Sequence, residues 1–541
     1  MAIRSMVILY ILLSAAIFFS VPINADFGFP DAGRHAMNGV FYYDLIKDAG
    51  VLKPVSYAIK YYQRYPAIAP LIYPPFFSLC EALMFAVLGI YPWVARLTVM
   101  LFLAWGAFGV ARLAAYVITE EGARYAGLMY LSIPLVIYWG REVMLEVPAT
   151  ALIIWSLVFF LNYLKEGRGR NIAICLIFAF LAIFTRQTAA FLFPVLLLTA
   201  MVMGRFKIAV NRRSIPWIAM SGLLLFLLGY ITLKWNMVNV RQAVGILRIG
   251  NISSLVNHLL FHIKILPESM GMPILIMACA GAVLLCIKKF RDSIKSRDFN
   301  LGVTLIIIYC IICYTQQAFA VRSPRYGFFL MPILAIISSV PICWCLRRSL
   351  IKNSARICSI ILLICVFAGS LTSLRTNWCE GFYEPAQYLK HHWEGSAILI
   401  DIHIDAPLIF HLRALDKNKH FRIYRSEKIF ESMKIFKSWG VKSFIESEKE
   451  LFDALSAYGI RYVFLERNML NQSRVDKLLG EAVKTNNFEK VKHFIVYYEG
   501  NRPKYLYLYR YKKDIAAVGA IPPMHLPIIN MEIPGEAARV K

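Results

Sequence analysis

The residues of this chain best placed to do chemistry are carboxylates and arginines lying beside apolar segments. Only 13 Asp and Glu occur before residue 378. Eight of them (Asp26, Asp31, Asp44, Asp48, Glu81, Glu142, Glu146 and Glu268) fall between apolar runs, on one side of a membrane by the topology below. Arg34, Arg141, Arg186, Arg322 and Arg325 share those segments. A carboxylate within hydrogen-bond reach of an attacking hydroxyl or amine can take its proton. A guanidinium stays charged and grips phosphate oxygens in pairs. Carboxylates near a bilayer need water or a partner, so loops that gather acids and arginines on one face describe a polar cavity at the membrane surface.

The composition says what must position them. A length of 541 residues would hold three or four soluble domains. Hydrophobic residues are 59% of the chain and charged ones 17%, whereas soluble domains are about 25% charged. Apolar runs able to cross about 30 Å of hydrocarbon lie at 6–23, 97–118, 125–140, 147–164, 172–184, 188–204, 214–233, 272–287, 301–320, 327–346 and 357–374. The stretch Pro75–Tyr91 follows Tyr73-Pro74 and contains Glu81; it reads as an amphipathic helix along the interface. The fold class is an all-α polytopic membrane protein with a C-terminal extracytoplasmic α/β domain.

Charge sets the sidedness. Lys165–Arg170, Arg205–Arg213, Lys288–Arg297 and Arg347–Arg356 carry three, four, five and four Lys or Arg, and positive-inside makes their side cytoplasmic. The N-terminus is then cytoplasmic, and the acid-bearing loops and the C-terminal domain lie outside. A rival reading takes the first run as a signal peptide cut near Ile23-Asn24-Ala25. The net charge of +26 belongs to this topology: residues 1–377 hold 34 Lys and Arg against 13 acids, residues 378–541 hold 25 against 20. No basic patch with interleaved aromatics stands outside the membrane part, which excludes nucleic acid as a partner. Ten of the eleven cysteines lie in or beside apolar stretches, so neither a disulfide framework nor a zinc site is indicated.

Residues 1–375 form the membrane part, with 24–96 as its first outside loop. Residues 376–515 read as an α/β domain. Strands are expected at Ala397–Ile404, Phe421–Tyr424, Tyr462–Glu466, Phe494–Glu499 and Tyr505–Tyr511. Helices are expected at Glu427–Trp439, Glu446–Tyr458 and Ser473–Thr485. Tyr505, Tyr507, Tyr509 and Tyr511 share a strand face by the two-residue period. The tail 516–541, with Pro522-Pro523, reads as disordered.

Several candidates carry two readings. Asp31 follows directly on the first span and lies near the headgroups, yet Asp before a helical run is also a common N-cap. Glu146 opens a span, where a carboxylate favours the helix dipole, and Glu142 one turn earlier would face the same side. Tyr73 either shapes the loop or touches substrate. Arg325-Tyr326 either grips a phosphate or anchors the interface. His258 and His262 would share a helix face, half of a metal site, or pack in an apolar helix.

In order along the chain stand an Asp after the first span, Tyr73-Pro74-Pro75, Gly140-Arg141-Glu142-Val143-Met144-Leu145-Glu146-Val147-Pro148, Thr185-Arg186-Gln187, and Arg322-Ser323-Pro324-Arg325-Tyr326 before a span with Pro332. This layout resembles the GT-C glycosyltransferases, specifically family 39, which includes dolichyl-phosphate-mannose–protein mannosyltransferases and bacterial aminoarabinose lipid A transferases. The resemblance implies a GT-C fold of about 11–13 transmembrane helices. It also implies sugar transfer, with inversion, from a polyprenyl (undecaprenyl or dolichyl) phosphate carrier to an extracytoplasmic protein, lipid or glycan. The family's first-loop acid maps to Asp31 and its second to Glu146, the implied catalytic residues. Arg141, Arg186, Arg322, Arg325 and Tyr326 would bind the donor phosphate, and Arg34, His35, Tyr73 and Glu142 would line the cavity. The family's usual Asp-Glu pair is Asp31-Ala32 here. No cofactor is implied firmly, and His258 and His262 are the weak candidates for a divalent metal. The implied location is the plasma or inner membrane, multi-pass. A transporter or flippase is the competing class; such proteins often show matched broken helices in two halves, and no such symmetry is visible.

Overall fold

The computed structural model describes residues 3–70, 72–210, 212, 214–224, 226–227, 229–230, 252–317, 322–348, 352–433, 441–466, 473–499, 502–516, 519–526 and 531–536. Helix α1 (Ile3–Phe19) is followed by the first loop, which folds into α2 (Pro30–Lys47), α3 (Pro54–Tyr62) and the short apolar α4 (Phe76–Leu88). The membrane part continues with α5 (Pro92–Ala114), α6 (Glu120–Ser132), α7 (Pro134–Gly140), α8 (Glu146–Glu166), α9 (Gly169–Ile183) and α10 (Leu192–Val202). Among the described residues, five helices are long and apolar enough to cross a membrane: Pro92–Ala114, Glu146–Glu166, Phe299–Gln316, Pro324–Arg348 and Asn353–Ser373. Met272–Cys286 with Lys288–Ile294, bent by 101°, would make a sixth. The chain is a multi-pass membrane protein.

The run at 125–140 is not one helix. Ile133 is extended (φ −69°, ψ 124°) and separates α6 from α7, because a residue before proline is pushed out of the helical region. Helix α7 then ends at Gly140, and 141–145 form a loop. Helix α8 starts at Glu146, whose charge suits the helix N-terminus, and closes on Gly167 in the left-handed region (φ 66°). It packs against α5 and α9, with Trp155 stacked on Trp105 at 5.5 Å.

Among the described residues of the C-terminal domain there are nine strands: β1 (Ala397–Asp401), β2 (Arg422–Arg425), β3 (Glu431–Met433), β4 (Val441–Ser443), β5 (Ile460–Glu466), β6 (Phe488–Tyr498), β7 (Arg502–Tyr511), β8 (Met524–Leu526) and β9 (Met531–Ile533). The main sheet has the order β2-β1-β5-β7-β6, with β1 parallel to β2 and β5, and β7 antiparallel to β5 and β6. Two expectations fail here. Over its described part, 427–433, the helix read at 427–439 is a short turn, Ser426–Ile429, followed by β3, which pairs with β4; non-local pairing overrides the local periodicity, and 434–439 lie outside the described residues. Within the tail read as disordered, the described residues hold the antiparallel β8–β9 pair, whose Met524 and Ile533 are buried. Tyr511 also leaves the face of Tyr505, Tyr507 and Tyr509, turning in to pack on Phe452 and Phe488.

The domain sits directly on the first loop. Asp26 exchanges backbone bonds with Cys379 and pairs with His411. Tyr65 donates to Asp416 at 2.7 Å, and Ile423 N–H donates to Arg64 O at 3.0 Å. A Cβ on Gly33 would come within 2.6 Å of the Ala406 Cβ, so glycine lets α2 approach the domain's helix Ala406–Leu415.

Candidate active site

Helix α2 begins after an extended Phe29, with Pro30 at the first helical position, where its fixed φ and missing N–H cost nothing. Asp31 therefore lies inside the first turn and caps nothing; no side chain caps this helix. The N-cap reading of Asp31 is overturned, and its carboxylate is available for other partners. It remains 27% exposed and takes a bond of 3.2 Å from Arg325 Nη1.

Arg325 comes from the 3-10 turn Pro324–Leu330, so a residue 294 positions away closes on the first loop. Its Nε lies 3.6 Å from Glu146 Oε1, and its guanidinium stands 5.7 Å from the Phe29 ring and 5.3 Å from Tyr326. Glu146, 1% exposed, also pairs with Arg186, whose guanidinium lies 5.4 Å from the rings of both Tyr326 and Phe329. One buried carboxylate thus holds two arginines side by side, with aromatic faces supporting each.

His35 lies one turn beyond Asp31. It is buried, and its ring meets that of Tyr73 edge-on at 4.3 Å. Burial brings its pKa down to about 4, against the opposing charges of Asp31 and Glu146, so the imidazole is neutral near pH 7. The Tyr73 hydroxyl reaches the Asp31 carboxylate, and its pKa is raised by burial first and by that charge second. Burial pushes the Asp31 pKa up, but the charge that His35 gains once it protonates in the acid range, those of Arg325 and Arg34, and the Arg325 bond outweigh it. The net position is below the usual carboxylate range, and Asp31 is ionised at neutral pH.

Asp31, His35, Tyr73, Glu146, Arg186, Arg325 and Tyr326 are brought together. Arg141 and Glu142 stand elsewhere. Arg141 donates from Nε to Ser20 Oγ at 2.9 Å and from Nη2 to Leu371 O at 3.0 Å, tying α1 to the last membrane helix. Glu142 does not face the side of Glu146, because the loop before α8 breaks the helical spacing. It accepts from the backbone of Gly28 and Phe29 near Arg96, and burial pushes its pKa up to about 8. Arg322 is exposed, and Arg34 turns to Asp405 at 3.6 Å. The side chain of His258 lies outside the described residues; His262 is buried near Gly327. Among the described residues no three His, Cys, Asp or Glu gather as a metal-binding set. Sequence reasoning missed Asp405, Arg425 and Lys428, which the fold brings beside Arg34 from more than 370 positions away and which no local pattern marks.

A family model for dolichyl-phosphate-mannose-protein mannosyltransferase matches residues 73–232. Among solved structures, the chain is similar to ArnT from Cupriavidus metallidurans in the apo state, at 14% identity, TM-score 0.56, 94% of this chain and 98% of that one. The same protein bound to undecaprenyl phosphate matches at 12% identity, TM-score 0.55 and the same coverage. Arabinofuranosyltransferase AftD from Mycobacteria matches at 15% identity and TM-score 0.50, over 96% of this chain and 40% of that one. No curated protein matches the sequence. The fold is that of the GT-C membrane glycosyltransferases, and the family 39 resemblance agrees with the family match.

Proposed function

We propose that this chain is an inverting glycosyltransferase that moves a sugar from a polyprenyl monophosphate carrier to an acceptor outside the cytoplasm. The observation that carries the reading is one half-exposed carboxylate, Asp31, bonded to one of two arginines that Glu146 holds in parallel. That ArnT has been solved with undecaprenyl phosphate bound supports the carrier class. The acceptor hydroxyl or amine attacks the sugar C1, Asp31 takes its proton, and the C1–O bond to phosphate breaks. The carrier leaves as a phosphate, so it needs cations more than a proton; Arg186 and Arg325 supply them. Glu146 is a positioning residue that fixes both forks.

The Asp31–Arg325 bond gives the order of events. While it lasts, Asp31 is a poor base. A donor phosphate competes for the Arg325 fork with stronger, bidentate bonds, which releases Asp31 and raises its basicity where the acceptor arrives. The site gathers ionisable groups at the ends of helices and in loops, as a surface reaction needs and as a path through the membrane does not. Arg141 and Glu142 brace the loop before α8, and Arg322 remains a second-line candidate for the phosphate. The donor set around Asp31 does not suit a metal, since its carboxylate faces guanidiniums and Ala32 replaces a second acid; no step passes through one.

The test is polyprenyl phosphate release from radiolabelled polyprenyl-phosphate mannose, glucose, galactose and aminoarabinose, with a crude envelope extract as acceptor. Turnover of one donor by wild type names the sugar. Failure of every donor to bind or turn over would sink the proposal.

A further inference from the structure

A second feature of the molecule stands beside this site on the same helix. Arg34, one turn of α2 from Asp31, lines a cavity of about 110 Å³ between the first loop and the C-terminal domain. Its walls are aliphatic: Ile59, Ile68 and Pro70 from the loop, and Leu526, Met531 and Ile533 from the β8–β9 hairpin. Three cations, Arg34, Arg425 and Lys428, also line it.

The charges there do not balance. Arg425 pairs with Asp405 and Glu427 and donates to Pro66 O at 3.2 Å. Arg34's close ion-pair partner among the described residues is the same Asp405, at 3.6 Å, with Asp31 acting on it only at longer range, and its Nε is buried with no acceptor among the described residues. Lys428, 10% exposed, has among the described residues the same Glu427 as its ion-pair partner, again at 3.6 Å. Among the described residues these two carboxylates are the close ion-pair partners of all three cations. Arg34 keeps 28% of its side chain exposed, but the buried Lys428 ammonium without a close acceptor is costly, and one more anion at this place would relieve the cost. Around the charges the walls offer nothing polar in quantity, so the molecule carrying that anion must be largely apolar beside it. Two sets of cations stand near Asp31: Arg325, which bonds it and which Glu146 holds beside Arg186, and Arg34 on its own helix. If the former take the donor phosphate, the acceptor must reach Asp31 from elsewhere, because displacement at C1 keeps nucleophile and leaving group apart.

We propose that this cavity is the acceptor site, and that it holds the acceptor by an apolar segment bearing one phosphate or carboxylate, bound by Arg34 and Lys428. This rests on the glycosyltransferase reading for the word acceptor; the affinity for an amphipathic anion stands without it. The hairpin, which closes one wall, is then part of the specificity of the enzyme.

The experiment uses full-length protein in phosphatidylcholine nanodiscs with radiolabelled dodecyl phosphate as probe. Two binding sites are expected. Arg325→Ala removes one, the donor phosphate site. Ile68→Trp, which fills the cavity, removes the other, and Lys428→Gln weakens it at least tenfold while Arg325-dependent binding stays unchanged. Inorganic phosphate competes at the second site at least tenfold more weakly than the probe, and dodecyl maltoside does not compete. Retention of both sites in Ile68→Trp and Lys428→Gln overturns the proposal, as does equal competition by inorganic phosphate, which would mean that the walls take no part. Loss of a site in Ile68→Trp with none lost in Arg325→Ala would keep the cavity and defeat the reading of the donor site.

Discussion

Asp31 and Asp44 stand on the same helix of the first loop, and each faces an arginine brought from far along the chain, but their surroundings differ. Asp44 has no exposed side-chain surface. It takes both Arg413 nitrogens, with Nε at 2.8 Å, the Tyr61 hydroxyl at 2.7 Å and Lys419 at 3.3 Å. Every lone pair is used, and the partners belong to the C-terminal domain and the neighbouring α3. Asp31 keeps 27% of its side chain exposed and shares Arg325 with Glu146. The same residue type serves as a clamp where it is saturated and as a reactive group where a partner can be exchanged. Availability, more than residue identity or charge, separates the two.

The contrast can be broken first through stability. Removing one partner of a buried ion pair costs about 3–5 kcal/mol, so Asp44→Asn should lower the thermal unfolding midpoint by many degrees. Asp31→Asn should shift stability by within about 0.5 kcal/mol, as at a surface position. Equal shifts would erase the distinction. At the next level, Arg325→Ala should slow donor turnover by about 100-fold or more, the usual loss of a group facing developing charge. Arg325→Lys should recover little, because a point charge does not replace a fork; full recovery would remove the bidentate argument.

The pH dependence sharpens the same point. Asp31 must be ionised to act, so activity is present above its pKa and lost as pH falls through it. Because its neighbours hold that pKa below the usual range, the acid limb of kcat/KM should lie below that of an ordinary carboxylate. Arg325→Ala should move the limb to higher pH, and a limb that stays put would show that Arg325 does not govern Asp31. The smallest effect is far away: Ser473 caps the helix Arg474–Ala482 in a capping box with Asp476, and Ser473→Ala should cost about 1 kcal/mol. Donor turnover should not change.

The sequence shows the membrane part well, because long apolar runs have one physical explanation and the spans at 147–164 and 357–374 match Glu146–Glu166 and Asn353–Ser373. It shows the site as a set of loops. It does not show which loops meet, since Arg325 reaches Asp31 through tertiary packing alone. Glu142 reads as a partner of Glu146 because spacing on an unbroken helix would make it one; the loop between α7 and α8 sends it to Gly28 and Phe29 instead. Asp405, His411 and Arg413 carry no local signal, as their partners Arg34, Asp26 and Asp44 lie in another domain. The β8–β9 hairpin was hidden by Pro522-Pro523, which breaks local patterns but does not prevent a short hairpin from packing Met524 and Ile533.

The most direct test of the account is a single-turnover measurement on wild type and Asp31→Asn, with the donor that wild type uses bound at saturation. The account predicts unchanged donor binding and release of polyprenyl phosphate slowed by at least about 100-fold, the usual contribution of a positioned base. Release at the wild-type rate would contradict it.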